Sequence, residues 1–463
     1  MADRIARTVI AALLVGAVFY MNYRFVLVHF SNGGDLLDAG WFAWIIASGD
    51  PWLTNPHAVS DISYFNYHLS PYLSGLSMVF HALGVDGFTA LALHQGAAFA
   101  LLAAGLFALA LSNWDGARSI LLLLTVALLM LLGDVVLQMA SFPHFEIAIP
   151  AFCAVGAWLW TCGRRALATL AFGLACLVRE DGGLYVAAFL LGLASLRPLS
   201  WRTLATSEIR LALAGAAMAV LMFWVKSRFF PGFSTFAYNF SGNGWDHLTP
   251  DFVAARLLHF VTDPHAVTAL VPAVVLALAS RRYLVFPVLM SPLVVAQLLA
   301  ARDELGHFMA YYAAPFLVIW MGSVLVAGDR IRTGQAKLYE PAVLLTFAIL
   351  GSGPLLFVVL PPGWLPVATN AIATDTTNLS LLAVETRAAL LATPGACASS
   401  GVASMAPDAV APAQVIDPAS SLEQCHTVFL FKADLHYEAL RPRMEGLVAG
   451  PVIDGRVERF DRP

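Results

Sequence analysis

The stretch FTALALHQGAAFALLAAGLFALALSNWDGARSILLLLTVALLMLLGDVVLQ, Phe88 to Gln138, decides the architecture. Two long apolar runs, 88–111 and 119–138, flank a short polar connection that carries Asp115 and Arg118. A helix needs about 20 such residues to cross a hydrocarbon core of about 30 Å, at roughly 1.5 Å per residue. The same reading outward predicts further spans at about 8–28, 146–161, 166–179, 183–196, 209–229, 265–280, 283–300, 308–327 and 339–360. Of these, 166–179 and 183–196 are short enough to be broken or re-entrant helices. The stretch 69–84 reads as an amphipathic, partly embedded helix before the second span.

Composition agrees. The chain has 463 residues, 59% hydrophobic and 12% charged, where a soluble protein carries about 25% charged residues. That excludes a soluble enzyme and a disordered chain. A net charge of −4 gives no signal for a nucleic acid or other polyanion. The charge is uneven: residues 1–369 hold 19 Lys/Arg and 19 Asp/Glu, and the much shorter 370–463 holds 7 and 11. The expected fold is a polytopic α-helical membrane protein of about eleven spans (1–369) followed by a small water-exposed α/β domain (370–463). The join falls at Pro361-Pro362-Gly363-Trp364, a helix stop.

Lys/Arg placement gives a direction. With the N-terminus inside, the inner loops collect 13 basic residues, among them Arg164, Arg165, Arg281, Arg282, Arg330 and Arg332. The outer side keeps six: Arg24, Arg179, Lys226, Arg228, Arg256 and Arg302. An odd number of spans then places the C-terminal domain outside. No small-residue cleavage site follows closely after the first span, so it reads as a signal-anchor. Acidic residues gather on the outer side, including Asp134, Glu146, Glu180, Asp181, Asp303 and Glu304. Ionisable groups at helix ends are costly in lipid, so many at one face point to a wet cavity there. Solvation of longer outer loops is the plainer alternative.

Cys153, Cys162 and Cys176 lie in or beside spans and read as small apolar residues. Cys397 and Cys425 fall in the outer domain, where an oxidising compartment allows a Cys397–Cys425 disulfide. No Cys/His spacing suggests a metal.

The first outer loop, about 30–68, is free of Lys and Arg after Ser31 and contains Asp35 and Asp38, three residues apart. On a helix both carboxylates share a face. The following Trp41, Phe42, Trp44 and Ile45 form an apolar surface suited to the membrane interface. A carboxylate beside such a surface suits general-base work, although an N-cap aspartate opening an interfacial helix has the same spacing. Three more outer clusters follow: SFPHFEIAIP with His144 and Glu146; VREDGGLY with Arg179, Glu180 and Asp181; and ARDELGHFMAYYAAPF with Arg302, Asp303, Glu304, His307, Tyr311 and Tyr312. Each alone is an ordinary turn or ion pair. Their recurrence at one face favours a shared cavity in which Arg179 and His307 hold phosphate oxygens.

DAGWFAW…SGDP (Asp38–Pro51), YHLSP (Tyr67–Pro71), FPHFE (Phe142–Glu146), VREDGGL (Val178–Leu184) and HFMAYYAAPFL (His307–Leu317) together resemble, in order, the bacterial membrane proteins of domain of unknown function 2079. Those are similar in layout to GT-C glycosyltransferases that use polyprenyl-phosphate sugars. The sequence departs from that pattern where Ala43 and Trp44 replace a second Asp and a Gln, and where Phe145 replaces a Pro between His144 and Glu146. The resemblance implies a bacterial inner-membrane, multi-pass glycosyltransferase. It would transfer a sugar from a lipid-linked donor to an acceptor of the cell envelope at the periplasmic face. Asp38 would be general base with Asp35 beside it. His68, His144, Glu146, Arg179, Glu180, Asp181, His307 and Tyr311 would bind substrate, and Tyr64 and Trp41 would stack on a sugar face. No cofactor is implied and a divalent cation stays open; membrane lipids are the other partners.

In the outer domain, 378–393 and Tyr437–Ala449 read as helices, and Cys397–Met405, Ala413–Ile416 and Thr427–Phe431 as short apolar runs, with HTVFLFK (His426–Lys432) the clearest strand. Asp454-Gly455 marks a hairpin. The competing readings are a transporter or flippase, which would show matched halves and charges near the midplane, and a non-catalytic envelope scaffold.

Overall fold

The computed structural model describes residues 2–31, 38–54, 63–111, 116–196, 207–231, 239–240, 246–352, 377–406, 409–410, 414–432, 434 and 436–463. Asp35 and the expected join at 361–364 lie outside these residues.

The chain is a bundle of apolar helices: α1 (Ala2–Ser31), α2 (Asp38–Ala47), α3 (Pro71–Ala82), α4 (Gly87–Leu111), α5 (Gly116–Leu132), α6 (Asp134–Ser141), α7 (Ala148–Thr161), α8 (Arg165–Val178), α9 (Gly182–Ser195) and α10 (Ser207–Phe229). It continues through α11 (Pro250–Thr262), α12 (Pro264–Ala277), α13 (Val285–Leu298), α14 (Ala314–Arg332) and α15 (Tyr339–Gly351). Each of the eleven apolar runs holds helix. Among the described residues, five helices are long and apolar enough to cross a membrane, or six if the pair α11–α12, bent by 67°, is one span.

Helix α11 was not among the expected spans. Arg256 and His259 interrupt its apolar run, but the local signals are plain: Thr249 caps it by accepting from the Phe252 N–H at 3.2 Å, and Pro250 takes the first turn. Asp263 repeats the device for α12, accepting from the Ala266 N–H at 2.8 Å ahead of Pro264. Two capped starts placed end to end force the bend.

Small residues let the spans approach closely. A Cβ on Gly183 of α9 would come within 2.1 Å of the Gly215 carbonyl oxygen on α10, and one on Gly96 of α4 within 2.9 Å of the Phe19 oxygen on α1. At the end of the bundle away from the first loop, Glu340 accepts from Arg330 Nε at 2.6 Å and from the Tyr283 hydroxyl at 3.0 Å. That lock joins α14 to α15.

Helix α2 corrects an expectation. Phe42, Trp44 and Ile45 do not face a membrane interface; with Ala43, Ile46 and Ala47 they are all buried within the protein. A helix apolar on every side buries every side. Its cover includes a segment near the C-terminus. There a sheet of strands β1 (Cys397–Ser399), β2 (Val415–Ile416), β3 (Thr427–Phe431), β4 (Val448–Ala449) and β5 (Val457–Asp461) has the order β2-β1-β3-β5-β4. The first three strands are parallel, and β5 runs antiparallel to both β3 and β4. Helices α16 (Thr377–Leu391) and α17 (Ser400–Met405) complete the unit. A Cβ on Gly87 would fall 2.2 Å from the Ala43 oxygen of α2 and 2.6 Å from the Ser404 oxygen of α17, so three segments meet at that glycine.

The disulfide Cys397–Cys425 is formed. Asp454 and Gly455 both have positive φ, 45° and 68°, and Ile453 bridges Val457 as a tight hairpin. The apolar run Cys397–Met405 is strand to Ser399 and then helix, and one expected helix differs. Tyr437–Ala449 leaves the α-helix at Leu440, becomes a 3-10 turn over Arg441–Met444 and ends in β4, because Pro442 cannot donate to a continuing helix.

Candidate functional site

The α8–α9 connection places Arg179, Glu180 and Asp181 on a turn that closes with a Gly182 N–H to Arg179 oxygen bond of 2.9 Å. A Cβ on Gly182 would lie 2.3 Å from the Ala175 oxygen, so only glycine allows this return. Arg179 points into the protein. Its Nε donates to Asp181 Oδ1 at 2.6 Å, its Nη2 to Asp181 Oδ2, and its Nη1 to Glu146 Oε1. Glu146 sits on a 3-10 turn, Phe145–Ile147, at the entrance to α7, and His144 Nδ1 is 3.7 Å from its Oε2. His144 stacks on Tyr311 with ring centroids 4.2 Å apart, and the Tyr311 hydroxyl donates to Tyr312 at 2.7 Å.

The neighbouring acid serves the first loop. Glu180 Oε1 accepts from His68 Nδ1 at 2.9 Å, and its Oε2 accepts from the Leu69 N–H at 3.0 Å. Burial alone would push the Glu180 carboxyl up; the His68 pair and Arg179 outweigh it and hold the group at about 2. Burial pushes His144 well below the usual imidazole value, and the charges of His68 and Arg179 add to this. A neutral His144 beside a charge-paired Arg179 is the arrangement that results.

The structure therefore brings together seven of the expected residues: His68, His144, Glu146, Arg179, Glu180, Asp181 and Tyr311. Helix α2 closes the cluster from the first-loop side, with the Phe42 ring edge-on to His144 at 4.4 Å. Asp38 opens that helix, one turn before Phe42; the described side chains begin at Phe42.

Three expectations change. Tyr64 does not offer a ring to a sugar: it is buried, edge-on to both Phe42 and Phe145. Arg179 is not a bare phosphate cation, because two carboxylates already occupy three of its donors. His307 stands in a second cluster. There the buried Arg256 of α11 donates from Nη1 to His307 Nε2 at 3.2 Å and from Nη2 to the exposed Asp303 at 2.8 Å. His259 meets His307 edge-on at 4.4 Å. Burial, then His259 and Arg256, lower the His307 pKa. Tyr312 lies within electrostatic reach of Glu146, Arg179 and Arg302, which places the two clusters side by side.

Arg256 was not singled out as a site residue. The available signal was a basic pair, Arg256 and His259, spaced to share one face of an otherwise apolar helix. Among the described residues no group of three or more His, Cys, Asp or Glu side chains is arranged to hold a metal ion.

No family model and no curated protein matches the chain. Among solved structures, the crystal structure of ArnT from Cupriavidus metallidurans bound to undecaprenyl phosphate is similar over 98% of this chain and 97% of that one, with a TM-score of 0.50 and 14% sequence identity. At that identity the likeness is one of fold: a polytopic helical membrane protein matched over nearly its whole length.

Proposed function

We propose that the chain is a GT-C-type membrane glycosyltransferase that moves a sugar from a polyprenyl-phosphate donor to a cell-envelope acceptor at the face bearing the first loop. In this reading that face is periplasmic, the membrane is the bacterial inner membrane, and residues 370–463 form a periplasmic domain. One observation carries the reading: the first-loop helix that Asp38 opens packs, through Phe42, onto a buried group of paired charges drawn from three distant parts of the chain. The full-length fold likeness to a protein whose structure holds undecaprenyl phosphate supports the lipid donor.

Asp38 takes the proton from an acceptor hydroxyl as that oxygen attacks the sugar C1. The bond from C1 to the phosphate oxygen breaks, and the polyprenyl phosphate leaves with the electron pair. General-base help of this kind supplies about 10²–10⁴-fold. Arg256 and His307 hold the leaving phosphate, since among the described residues Arg256 has one carboxylate partner, exposed, and a buried Nε with no hydrogen-bond partner. Arg179, Glu146 and Asp181 fix the floor, and Glu180 with His68 pins the first loop over it.

The test is sugar transfer in proteoliposomes from a radiolabelled polyprenyl-phosphate sugar. Asp38→Asn is expected to lose at least about 100-fold in rate while eluting from size exclusion as the wild type does. A fully active Asp38→Asn protein removes the general-base assignment. A wild type that consumes none of a panel of such donors removes the reading.

A further inference from the structure

A second feature, independent of the transfer reaction, lies on the outside of the bundle. Helices α1, α3, α4 and α7 enclose a half-open cavity of about 250 Å³ whose walls include Phe19, Tyr72, Phe80, Leu101 and Phe152. The wall is apolar except at His94 and the hydroxyl of Tyr72, whose rings lie 5.8 Å apart. The His94 side chain is 4% exposed, and neither ring nitrogen has a hydrogen-bond partner among the described residues. Leaving a buried polar group unsatisfied costs roughly 1–3 kcal/mol, so an imidazole placed there asks for a ligand.

The surroundings narrow what that ligand is. Helices α1 and α4 are long apolar spans. Leu101 at the rim, and Met78 and Val79 on the adjoining helix, are all at least 40% exposed, as lipid-facing residues are. Helix α3 has 12 residues and is not a span; it starts at Ser70-Pro71, directly after the first loop. The groove thus opens at the headgroup end of one leaflet, where acyl chains meet their ester linkages. Water is a poor filler: a cavity many times one water's ~30 Å³ and lined by hydrocarbon stays dry. An anionic group is equally poor, because no Lys or Arg lines the wall.

We propose that this groove binds one glycerophospholipid of the leaflet on the α3 side, its acyl chain lying between α3 and α4 and an ester carbonyl accepting from the His94 ring N–H. Ala148, Ala151 and Phe152 of α7 form part of the wall. They follow His144 and Glu146 directly in the chain, so the bound lipid braces the segment that carries half of the buried charge cluster.

Native mass spectrometry tests this on the full chain, released from nanodiscs of palmitoyl-oleoyl phosphatidylethanolamine and phosphatidylglycerol at 3:1. The wild type should keep one phospholipid after the remaining lipid is stripped. His94→Phe, which keeps the ring but removes its hydrogen bond, should lower that retention at least tenfold. His94→Gln should restore part of it. Ala97→Trp, which fills the mouth of the groove, should abolish it, and a dialkyl-ether lipid lacking the carbonyl should be held as weakly as by His94→Phe. The proposal is overturned if the wild type keeps no lipid, if His94→Phe keeps as much as the wild type, or if discs doped with polyprenyl phosphate give that molecule as the retained species. Should Ala97→Trp fail to fold, the His94 pair and the ether lipid decide.

Discussion

His68 and Glu180 are separated by 112 positions in the chain, and their side chains meet at 2.9 Å. With the Leu69 N–H on its other oxygen, Glu180 fastens the end of the first loop to the α8–α9 turn. His68 and Arg179 hold its carboxyl at about 2 against the opposing push of burial. A depressed carboxyl contributes stability that is complete above its unfolded value and fades as pH falls through the folded one. The contribution should therefore persist at pH 5 and be lost between about pH 4.5 and pH 2. Glu180→Gln should cost about 1–3 kcal/mol at pH 7, and its unfolding temperature in detergent should converge on that of the wild type at the acid end. A variant that unfolds with the wild type at pH 7 would show that the tie carries no weight.

Arg179 gives the opposite asymmetry. Its charge is enclosed by Glu146 and Asp181, so removing it leaves the buried Glu146 and the half-buried Asp181 without their shared cation. Breaking such a pair costs about 3–5 kcal/mol, whereas replacing all the partners together costs much less. Arg179→Ala should unfold many degrees below the wild type. The triple variant Arg179→Ala, Glu146→Gln, Asp181→Asn should recover most of that loss. Thermal unfolding followed by size exclusion reads both, and a triple variant no better than Arg179→Ala alone would sink the argument.

His144 titrates in the same sense as Glu180, but from a higher pH. Burial and the nearby His68 and Arg179 charges lower its folded pKa, so the unfolded chain takes up a proton that the folded one refuses. Stability is then complete above about pH 6.5 and falls as pH drops below it. His307, lowered by burial and by His259 and Arg256, acts in the same direction. Between pH 7 and pH 5 the wild-type unfolding temperature should fall. In His144→Phe, which keeps the stack on Tyr311, it should fall by less. Equal slopes in the two proteins would assign the effect elsewhere.

These three groups show where the sequence stops being legible. Each of the eleven apolar runs holds helix, because length and apolar composition can be counted, although among the described residues only five or six helices are long enough to cross a bilayer. The acids and bases of VREDGGL and FPHFE were visible as functional candidates for the same reason: charges are conspicuous against such a background. Their partners were not visible. Nothing in the spacing says that Arg179 is taken by Asp181 two residues away and by Glu146 across the bundle, or that His307 belongs to Arg256 instead. Tyr64, Phe42 and Trp44 read as surface because they border a loop; tertiary packing from α17 and from the Phe145 turn buries them. Helix α11 was hidden because Arg256 and His259 break its hydropathy, although its Thr-Pro-Asp start was on the page.

Gly87 is where the first loop, the second span and the C-terminal unit touch. A single added methyl there meets two backbone oxygens, which cannot rotate away as a side chain can. Gly87→Ala should cost roughly 1–3 kcal/mol by overpacking, and it should loosen the C-terminal unit from α2. Limited proteolysis should then release the C-terminal unit faster than in the wild type. Gly163, also at a helix end but with open space around it, is the comparison site for an alanine substitution, though its positive φ makes that change mildly strained. Equal release rates from the Gly87→Ala and wild-type proteins would mean that the junction does not hold the unit in place.

The Cys397–Cys425 bond closes a loop of 28 residues around the first two strands. Cross-linking a loop of that length removes enough freedom from the unfolded chain to be worth roughly 3–4 kcal/mol in the chain-entropy account. The bond can persist only where thiols are oxidised, so it also reports the side of the membrane on which residues 397–425 lie. Alkylation of the denatured, unreduced protein should label three cysteines, Cys153, Cys162 and Cys176; after reduction it should label five. Cys397→Ala should expose one further thiol, Cys425, without reductant, and lower the unfolding temperature of the C-terminal unit while the helical body melts as before. Five labelled cysteines in the unreduced wild type would mean that the bond does not form and that the C-terminal unit faces a reducing compartment.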